Sequence, residues 1–519
     1  MNRDAMLQRL EAEPGAWDVV IIGGGATGLG CAIDAASRGY RTALLEAGDF
    51  ARGTSSRSTK LVHGGVRYLR QGNLSLVLEA LKERGLLRQN APHLVSDLPI
   101  VVPSYDWWEA PFYGVGLRLY DLLAGKLGFG PSRNLSRSET LDRLPTLETQ
   151  GLRGGVIYHD GQFDDARLAI HMALTAASLG ANLVNYAPVV ALRKSGGVVR
   201  GVVVRDAESE QESTLDAKVV INATGPYADS ILRLDDEAAV RMIRPSQGVH
   251  IVLDQTFLPG ESAILVPHTD DGRVLFAIPW HGRVIVGTTD TPIDEVSLEP
   301  APLEDEIDFL LEHAARYLTK DPAREDILSA FAGIRPLVSA SDATSTAAVS
   351  RDHTIHISRS GLVTVAGGKW TTYRKMAEDT IDQAATIAAL DERPSVTKTL
   401  RLHGHHREAS RFGSLAHYGA DATAVDELIR ADAAYGEALH PAFSSRAGEV
   451  IWAVREEMAR TVEDFLSRRT RALLLDAKAS LEAAPRVAAL MAEALGRDED
   501  WQKSQIEAYR ALARRHLPS

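Results

Sequence analysis

The stretch Asp18-Val-Val-Ile-Ile-Gly-Gly-Gly-Ala-Thr-Gly-Leu-Gly-Cys31 decides the fold of this chain. Its pattern predicts a buried strand at Asp18–Ile22, a tight turn at Gly23–Gly28 and a helix at Leu29–Arg38. Tyr40–Glu46 predicts the next strand. A strand, a glycine-rich turn, a helix and a second strand within about 30 residues are typical of an α/β domain that binds a dinucleotide.

The three glycines of this turn have separate tasks. Gly23 permits the turn, Gly25 lets the backbone approach a pyrophosphate, and Gly28 lets the helix pack on the strand. The N-terminus of the helix then presents unpaired N–H groups to the phosphates. Glu46 ends the second strand, where a carboxylate can accept hydrogen bonds from ribose hydroxyls. Because the motif reads only the ADP half of a cofactor, FAD and NAD both remain open at this point.

Later parts of the chain favour FAD. Val219–Gly225 predicts another strand that ends in Ala-Thr-Gly, and Val365–Lys369 predicts a further glycine turn that opens a helix. A cofactor layer assembled from early, middle and late segments implies that a substrate domain is inserted in it. This interrupted plan resembles the flavin oxidoreductases related to D-amino acid oxidase.

The predicted fold is therefore α/β, with a Rossmann-like FAD-binding domain that is discontinuous in sequence, an inserted mixed-sheet substrate domain and a helical C-terminal domain. The expected boundaries are 17–90, 155–235 and 340–390 for the FAD-binding domain. We expect 91–154 and 236–339 to form the substrate domain, and 395–519 to form the helical domain.

A more specific resemblance begins at Gly53-Thr-Ser-Ser-Arg-Ser-Thr-Lys-Leu-Val-His-Gly-Gly-Val-Arg-Tyr68, which is similar to the flavin loop of FAD-dependent glycerol-3-phosphate dehydrogenases. Other segments match this family in the same order. They are Asp164–Leu168, Asn222–Pro226, Ile278–Trp280, Gly287–Asp290, Gly333–Pro336, Ser350–Asp352, Gly367–Arg374 and, in the helical tail, Ser467–Arg471.

The resemblance implies that hydride passes from C2 of sn-glycerol 3-phosphate to flavin N5, which gives dihydroxyacetone phosphate. The doubly charged phosphate calls for several fixed donors, and guanidinium groups suit its oxygens. The positions that match the family's substrate pocket are Arg67, Tyr68, His250, Arg335, Arg351 and Lys369. The expected catalytic residues are His63, Arg67, His250, Arg335 and Lys369. His63 and His250 remain alternative general bases, with Lys369 behind them.

The cofactor itself should contact a larger set of residues, and no metal is expected. The expected FAD-binding residues are Gly23, Gly25, Gly28, Glu46, Thr54, Ser55, Ser56, Lys60, Leu61, His63, Val189, Ala223, Gly225, Gly367, Gly368 and Lys369. No nucleophile-elbow motif surrounds Ser55 or Ser56, so we interpret both as hydrogen-bond donors in the flavin loop.

Composition limits the partners and the location. The net charge of -12 argues against a nucleic-acid partner, and the single cysteine, Cys31, excludes a disulfide framework and favours a reducing compartment. No apolar run reaches the length of a bilayer span. We expect a cytoplasmic protein, and the aromatic segment Trp107–Gly130 favours either peripheral contact with the cytoplasmic membrane face or an ordinary packing patch. A homo-oligomer is compatible with the sequence.

Two rival functions stay open. One is a related oxidase that acts on an amino acid or another small hydroxy compound and uses dioxygen, whose α-carboxylate substrate would need one bidentate arginine. The other is a flavin-containing regulatory protein without turnover, against which Arg335 and Lys369 argue. The electron acceptor, quinone or dioxygen, is not fixed by the sequence, although the lack of a large additional insertion favours a quinone.

Overall fold

The computed structural model describes residues 1–12, 15–66, 73–266, 269–270, 272–338 and 353–518. The strands within these residues are β1 Trp17–Ile22, β2 Thr42–Leu45, β3 Leu61–Val62, β4 Val95–Ser104, β5 Arg133–Ser136, β6 Gly154–Phe163, β7 Asn182–Val184, β8 Val189–Ser195, β9 Val198–Arg205, β10 Glu212–Asn222, β11 Ile243–Asp254, β12 Ala263–Val266, β13 Leu275–Trp280, β14 Arg283–Gly287, β15 Thr291–Pro292, β16 Ile327–Val338, β17 His353–Ile357 and β18 Val363–Gly367.

The α-helices lie between and after these strands. They are α1 Arg3–Ala12, α2 Ala26–Ser37, α3 Leu74–Asn90, α4 Glu109–Ala124, α5 Arg137–Arg143, α6 Asp165–Ser178, α7 Ala228–Asp235, α8 Glu304–Ala315, α9 Tyr373–Ile387, α10 Ala422–Ala431, α11 Ala447–Glu456, α12 Ala472–Leu475, α13 Ala477–Leu495 and α14 Glu499–Arg514.

The first sheet carries the glycine turn. Its strand order is β17-β18-β10-β1-β2-β7, and β1 runs parallel to both β10 and β2. Val19 and Ile21 pack in one apolar cluster with α2, α6 and α9, whereas Val20 and Ile22 pack in another cluster on the opposite face. Burial on both faces explains the unbroken apolar run in β1. Strands from three distant parts of the chain therefore form the centre of this sheet.

The second sheet is mostly antiparallel and has the order β15-β11-β14-β13-β12-β4-β6-β3, with β16 on β11 and β5 on β6. Helix α8 packs on it through Ile307 and Leu310. Strands β11, β14, β13 and β12 pair antiparallel in that order, so the inserted segment expected to form the substrate domain supplies most of this sheet.

Strands β3 and β6 lie in a different sheet from the one that the expected division of the chain gives them. Residues 61–62 and 155–163 were expected in the FAD-binding domain, but β3 pairs with β6, and β6 pairs with β4 along its whole length, in the second sheet. The reason is that the glycine-rich run Gly154-Gly155 lets β6 lie closely between β4 and β5. We propose the expected division into three domains with this boundary moved to about residue 164.

The chain after residue 395 is helical, as expected. Phe465, Val487, Met491 and Tyr509 form a separate apolar cluster there. This helical unit also contacts the first domain through buried ion pairs: Arg469 with Asp49, and Arg167 with Glu457. The α/β fold with a helical C-terminal domain is confirmed.

Candidate functional site

One cavity of about 1610 Å³ is lined by residues of both sheets. This volume exceeds the roughly 300–1,000 Å³ that is usual for pockets that hold small molecules, so it has room for a dinucleotide and a substrate together. The following expected cofactor residues line it: Gly23, Gly25, Glu46, Thr54, Ser55, Leu61, His63, Val189, Ala223, Gly225, Gly367, Gly368 and Lys369.

The glycine turn forms a close cradle at one end of the cavity. Gly23 has a φ of +109°, and a Cβ atom there would lie 2.7 Å from the carbonyl oxygen of Ala223. A Cβ on Gly28, which does not line the cavity, would lie 1.8 Å from the carbonyl oxygen of Gly23. Helix α2 has no side-chain cap from its N-cap residue, Gly25, and its first N–H, that of Ala26, is bound by the Ser55 hydroxyl. The next N–H groups of the first turn are suited to bind a ligand's phosphates.

Glu46 is fixed on the opposite side of this cradle. Its carboxylate accepts hydrogen bonds from the backbone N–H groups of Gly24, at 2.6 Å, and Gly48, at 2.8 Å. Burial raises the pKa of Glu46. A carboxylate offers about four acceptor positions, so two remain for the hydroxyls of a ribose. The residues present therefore fit the ADP half of FAD.

The flavin loop, residues 53–60, is fixed residue by residue. The Thr54 hydroxyl donates to the carbonyl of Ile334 at 2.6 Å, and the Ser55 hydroxyl accepts from the N–H of Ala26 at 2.9 Å. The indole N–H of Trp370 donates to the carbonyl of Ser55 at 3.0 Å. The loop is thereby joined to the second sheet, to α2 and to the turn after β18.

Two expected cofactor residues of this loop do not line the cavity. The Lys60 ammonium is fully buried and donates to the carbonyl of Ser56 at 2.9 Å and to the carboxylate of Asp165 at 2.7 Å. The Ser56 hydroxyl donates back to the carbonyl of Gly53 at 3.3 Å. Both side chains thus support the loop from behind.

His250 lies at the other end of the cavity. Its ring is buried, stacks on Phe331 with 4.9 Å between ring centroids, and places Nε2 2.9 Å from the Thr59 hydroxyl. Burial, with the nearby charges of Lys60 and Arg335, holds the pKa of His250 well below its usual range. The imidazole is therefore neutral at pH 7, which is the form a proton acceptor needs.

Arg335 lines the same end, and its guanidinium is held by neighbouring oxygens. One Nη atom donates to the Thr288 hydroxyl and to the Thr289 carbonyl, both at 3.0 Å. The other donates to the Gln247 carbonyl at 3.2 Å and lies 3.4 Å from the Asp290 carboxylate. The side chain keeps a quarter of its surface accessible. A fixed and partly accessible guanidinium is suited to bind an anion.

Four expected substrate or catalytic residues line the cavity, namely His63, His250, Arg335 and Lys369, and of these Arg335 lies close enough to His250 to lower its pKa. Backbone contacts fix His63, whose N–H donates to the Thr371 hydroxyl at 3.2 Å. Arg67, Tyr68 and Arg351 lie outside the described residues.

A third part of the cavity is apolar and was not assigned from the sequence. This part is lined by Ile100, Val102, Leu117, Leu265 and Phe276. The side chain of one acidic residue, Asp160, lines it as well. Asp160 is buried, pairs with Arg84 and accepts from the Tyr120 hydroxyl at 2.9 Å. Burial raises the pKa of this carboxyl. No sequence motif marks Asp160, because its partners come from three separate elements.

The cavity reaches the surface at helix α4. Apolar residues at positions 108, 112, 115, 119 and 122 lie on one face of this helix and are exposed, Val115 by 71% and Leu122 by 77%. The first four also line the cavity. The sequence left two interpretations of the segment 107–130, peripheral contact with a membrane and an ordinary packing patch. An apolar face that is exposed to solvent differs from a patch that packs only inside the protein.

Comparisons with known proteins agree with this geometry. Residues 18–374 match the family described as FAD dependent oxidoreductase, and residues 363–502 match the C-terminal domain of alpha-glycerophosphate oxidase. A glycine cradle, a fixed ribose acceptor and a cavity shared by two sheets define the class: this chain is an FAD-dependent oxidoreductase.

Its relatives specify the family within that class. Mitochondrial glycerol-3-phosphate dehydrogenase of Homo sapiens is 43% identical over 544 residues, covering 98% of this chain and 74% of that protein. The Arabidopsis thaliana counterpart is 42% identical and covers 94% and 85%. A solved glycerol-3-phosphate dehydrogenase of Bacillus halodurans, complexed with FAD, is 30% identical with a TM-score of 0.81, covering 99% and 98%. The chain belongs to the glycerol-3-phosphate dehydrogenase family.

Proposed function

We propose that this chain oxidises sn-glycerol 3-phosphate to dihydroxyacetone phosphate. Bound FAD supplies the acceptor for the hydride that leaves C2. The observation that carries the proposal is the pairing, at one end of the cavity, of a neutral buried His250 with the fixed guanidinium of Arg335. The first can take a proton, and the second can hold a phosphate.

We assign the phosphate anchor to Arg335, with Lys369 as a second cation on the same cavity wall. Planar N–H donors match phosphate oxygens in pairs, so the anchor also orients the substrate. Held in this way, C2 is presented at a fixed distance from the cofactor, which removes most of the entropic cost of the reaction.

We assign the general base to His250. The Thr59 hydroxyl lies 2.9 Å from Nε2, and we propose that it relays the proton: it accepts the proton of the C2 hydroxyl while it donates its own proton to Nε2, as the hydride departs. The charges of Arg335 and Lys60 disfavour a protonated ring in the resting enzyme. His63 lies on the same cavity wall, where it contributes to the shape of the pocket.

A substrate with an α-carboxylate, such as an amino acid, suits this site less well than glycerol 3-phosphate does. An α-amino acid would engage one bidentate arginine, whereas this cavity is lined by two cations, Arg335 and Lys369. Anaerobic addition of glycerol 3-phosphate to the purified protein should bleach the flavin absorbance near its visible maximum. Glycerol and α-amino acids at the same concentration should not. A flavin that glycerol 3-phosphate leaves oxidised would refute the proposal.

We propose in addition that the exposed face of α4 lies in the headgroup region of a membrane and that a quinone enters the cavity there. The apolar stripe at spacings of three and four residues is that of a helix lying in an interface. Trp108 and Phe112 border the cavity, so an apolar acceptor could pass from lipid towards the cofactor without crossing water. Within the part of the chain that the structure describes, no helix could cross a bilayer.

Sedimentation with liposomes tests this location. The double variant Val115→Gln with Leu122→Gln should lose binding and slow the reduction of a long-tailed quinone, while a soluble dye acceptor is reduced as before. Val240→Gln, which changes an equally exposed residue away from α4, serves as the matched control. Unchanged sedimentation of the double variant would remove the membrane assignment.

A further inference from the structure

A buried cluster lies behind the flavin loop and outside the residues assigned to the reaction. We call it the Asp165 cluster, and its members are Ser56, Ser58, Lys60, Asp165 and Arg471. One oxygen of Asp165 accepts from the Ser58 N–H at 3.0 Å, the Ser58 hydroxyl at 2.7 Å and the Lys60 ammonium at 2.7 Å. Lys60 and Asp165 are fully buried. Three hydrogen-bond donors of the flavin loop therefore depend on one oxygen of a carboxylate at a helix N-terminus.

Arg471 brings the C-terminal domain into this cluster. One of its Nη atoms donates to the carbonyl of Ser56 at 2.6 Å and to the second oxygen of Asp165 at 3.0 Å. The other donates to the carbonyl of Ser467 at 2.8 Å, which fixes the side chain within its own domain. Arg471 is 2% exposed and has the left-handed φ of 64°. A backbone conformation that is uncommon outside glycine is thus held by buried contacts.

Two members of the Asp165 cluster flank, in sequence, a residue that contacts the proposed general base. Thr59 lies between Ser58 and Lys60, and its hydroxyl contacts Nε2 of His250. The Lys60 ammonium is 5.2 Å from the ring centroid of Phe331, the ring on which His250 stacks. On the other side, Ser55 binds the first N–H of α2. Movement of residues 56–60 would displace the partners of the proposed base and of the cofactor cradle together.

We infer that Asp165 and Arg471 are positioning residues for the reaction, and that the C-terminal domain completes the active site by fixing the flavin loop through Arg471. The inference rests on the proposed function, since it concerns the geometry of that same site. Neither residue lines the cavity, so both act through Ser56, Ser58 and Lys60.

A second consequence of the cluster is electrostatic. Lys60, Arg335, Thr59 and Phe331 are the described residues that face His250 with a charge, a hydroxyl or a ring. Asp165 keeps Lys60 beside that ring as a buried cation, and burial lowers the pKa of Lys60 only to about 8. Removal of this cation should raise the pKa of His250.

Rapid mixing of the full-length holoenzyme with glycerol 3-phosphate tests the positioning role. Arg471→Met should slow flavin reduction by on the order of 10²-fold, the loss expected for a displacement of about 1 Å. Reoxidation by a soluble dye should stay within about twofold of the parent, because that step does not use the base. Arg471→Lys keeps the positive charge but loses the planar guanidinium group. Its rate of flavin reduction should lie between the rates of the parent and of Arg471→Met.

Arg167→Met is the matched control. Arg167 is equally buried, pairs across the same two domains with Glu457, and places its guanidinium over the Tyr418 ring and not on a carbonyl of the flavin loop. It should lower the melting temperature as much as Arg471→Met and leave the rate of flavin reduction unchanged. Equal losses of rate in both variants would show a general structural effect and overturn the inference, as would a parental rate in Arg471→Met.

Lys60→Met gives a measurement that does not depend on how well the arginine variants fold. A proton acceptor works only above its pKa, so the acid limb of the rate profile should move to higher pH when the neighbouring cation is removed. If the acid limb of the rate profile stays at the same pH in Lys60→Met, the proposed effect of the Lys60 charge on the pKa of His250 is refuted. A parent enzyme that glycerol 3-phosphate does not reduce refutes the proposed function, whereas a parent that is reduced beside unaffected variants refutes only this inference.

Discussion

Arg335→Ala removes the group to which the proposed mechanism assigns the substrate's phosphate. Loss of one partner of a desolvated charge pair costs about 2–5 kcal/mol. The structure favours the middle of this range, because Asp290 at 3.4 Å already offsets part of the charge and a quarter of the side chain remains accessible. A loss of about 3–4 kcal/mol corresponds to a fall in kcat/KM of roughly two to three powers of ten.

The assay compares two substrates in two enzymes. Glycerol lacks the phosphate, so it should be a very poor substrate for the parent, and Arg335→Ala should scarcely worsen it. The variant should retain bound FAD, since Arg335 is not part of the glycine cradle around Gly23. Arg316→Ala, which breaks an exposed surface pair, is the control for removal of an arginine. If Arg335→Ala retains its FAD and oxidises glycerol 3-phosphate within a few-fold of the parent, Arg335 is not the anchor.

Two further predictions concern the cofactor and pH. Gly25→Val should abolish FAD binding, because its side chain would occupy the space in which the backbone approaches the pyrophosphate, and even a Cβ atom there lies 3.0 Å from the Ser55 hydroxyl. Gly436→Ala, which lies outside the cavity and whose Cβ atom would meet its first neighbour at 3.4 Å, should bind FAD normally; flavin content after gel filtration measures both. Burial raises the pKa of Glu449 from 4.5 to about 7, so the folded state holds a proton that the unfolded chain releases. The free energy of unfolding should therefore fall as pH rises from 4.5 to 7, by roughly 3 kcal/mol from this group. Glu449→Gln should remove this fall, and parallel melting curves for both proteins between pH 5 and pH 8 would contradict it.

Local patterns in the sequence predicted individual elements well where the local signal was complete. Helix α3 spans Leu74–Asn90, where apolar residues recur at helical spacing, and the Asn73 side chain caps it by accepting from the N–H of Leu76. Asp164, a residue type that favours N-caps, caps α6 by accepting from the N–H of Arg167. Helix α2 begins at Ala26, three residues before the expected Leu29, because its apolar periodicity starts later than its hydrogen bonding.

The site was only partly predictable for a different reason. The glycine turn and the basic positions carry local signatures, whereas the contacts of a side chain depend on residues far away in sequence. Lys60 was expected at the cofactor, but it pairs at the rear of the loop with Asp165, which also binds Arg471, and these two residues lie about 100 and 400 residues further on. Asp165 and Arg471 both fall within segments that match the family, Asp164–Leu168 and Ser467–Arg471, but the match did not show that they contact each other.

The arrangement of the first sheet has a consequence for synthesis in the cell. Strand β1 stays without its neighbour β10 until about residue 222 has been made, and β18 follows only at residue 363. Arg471, which reaches back to Ser56, emerges later still. At translation rates of roughly 5–20 residues per second, the glycine cradle is exposed on the ribosome for something like 20 to 90 seconds before its last support arrives. Capture of FAD is thus expected to be a late event, completed near the release of the nascent chain.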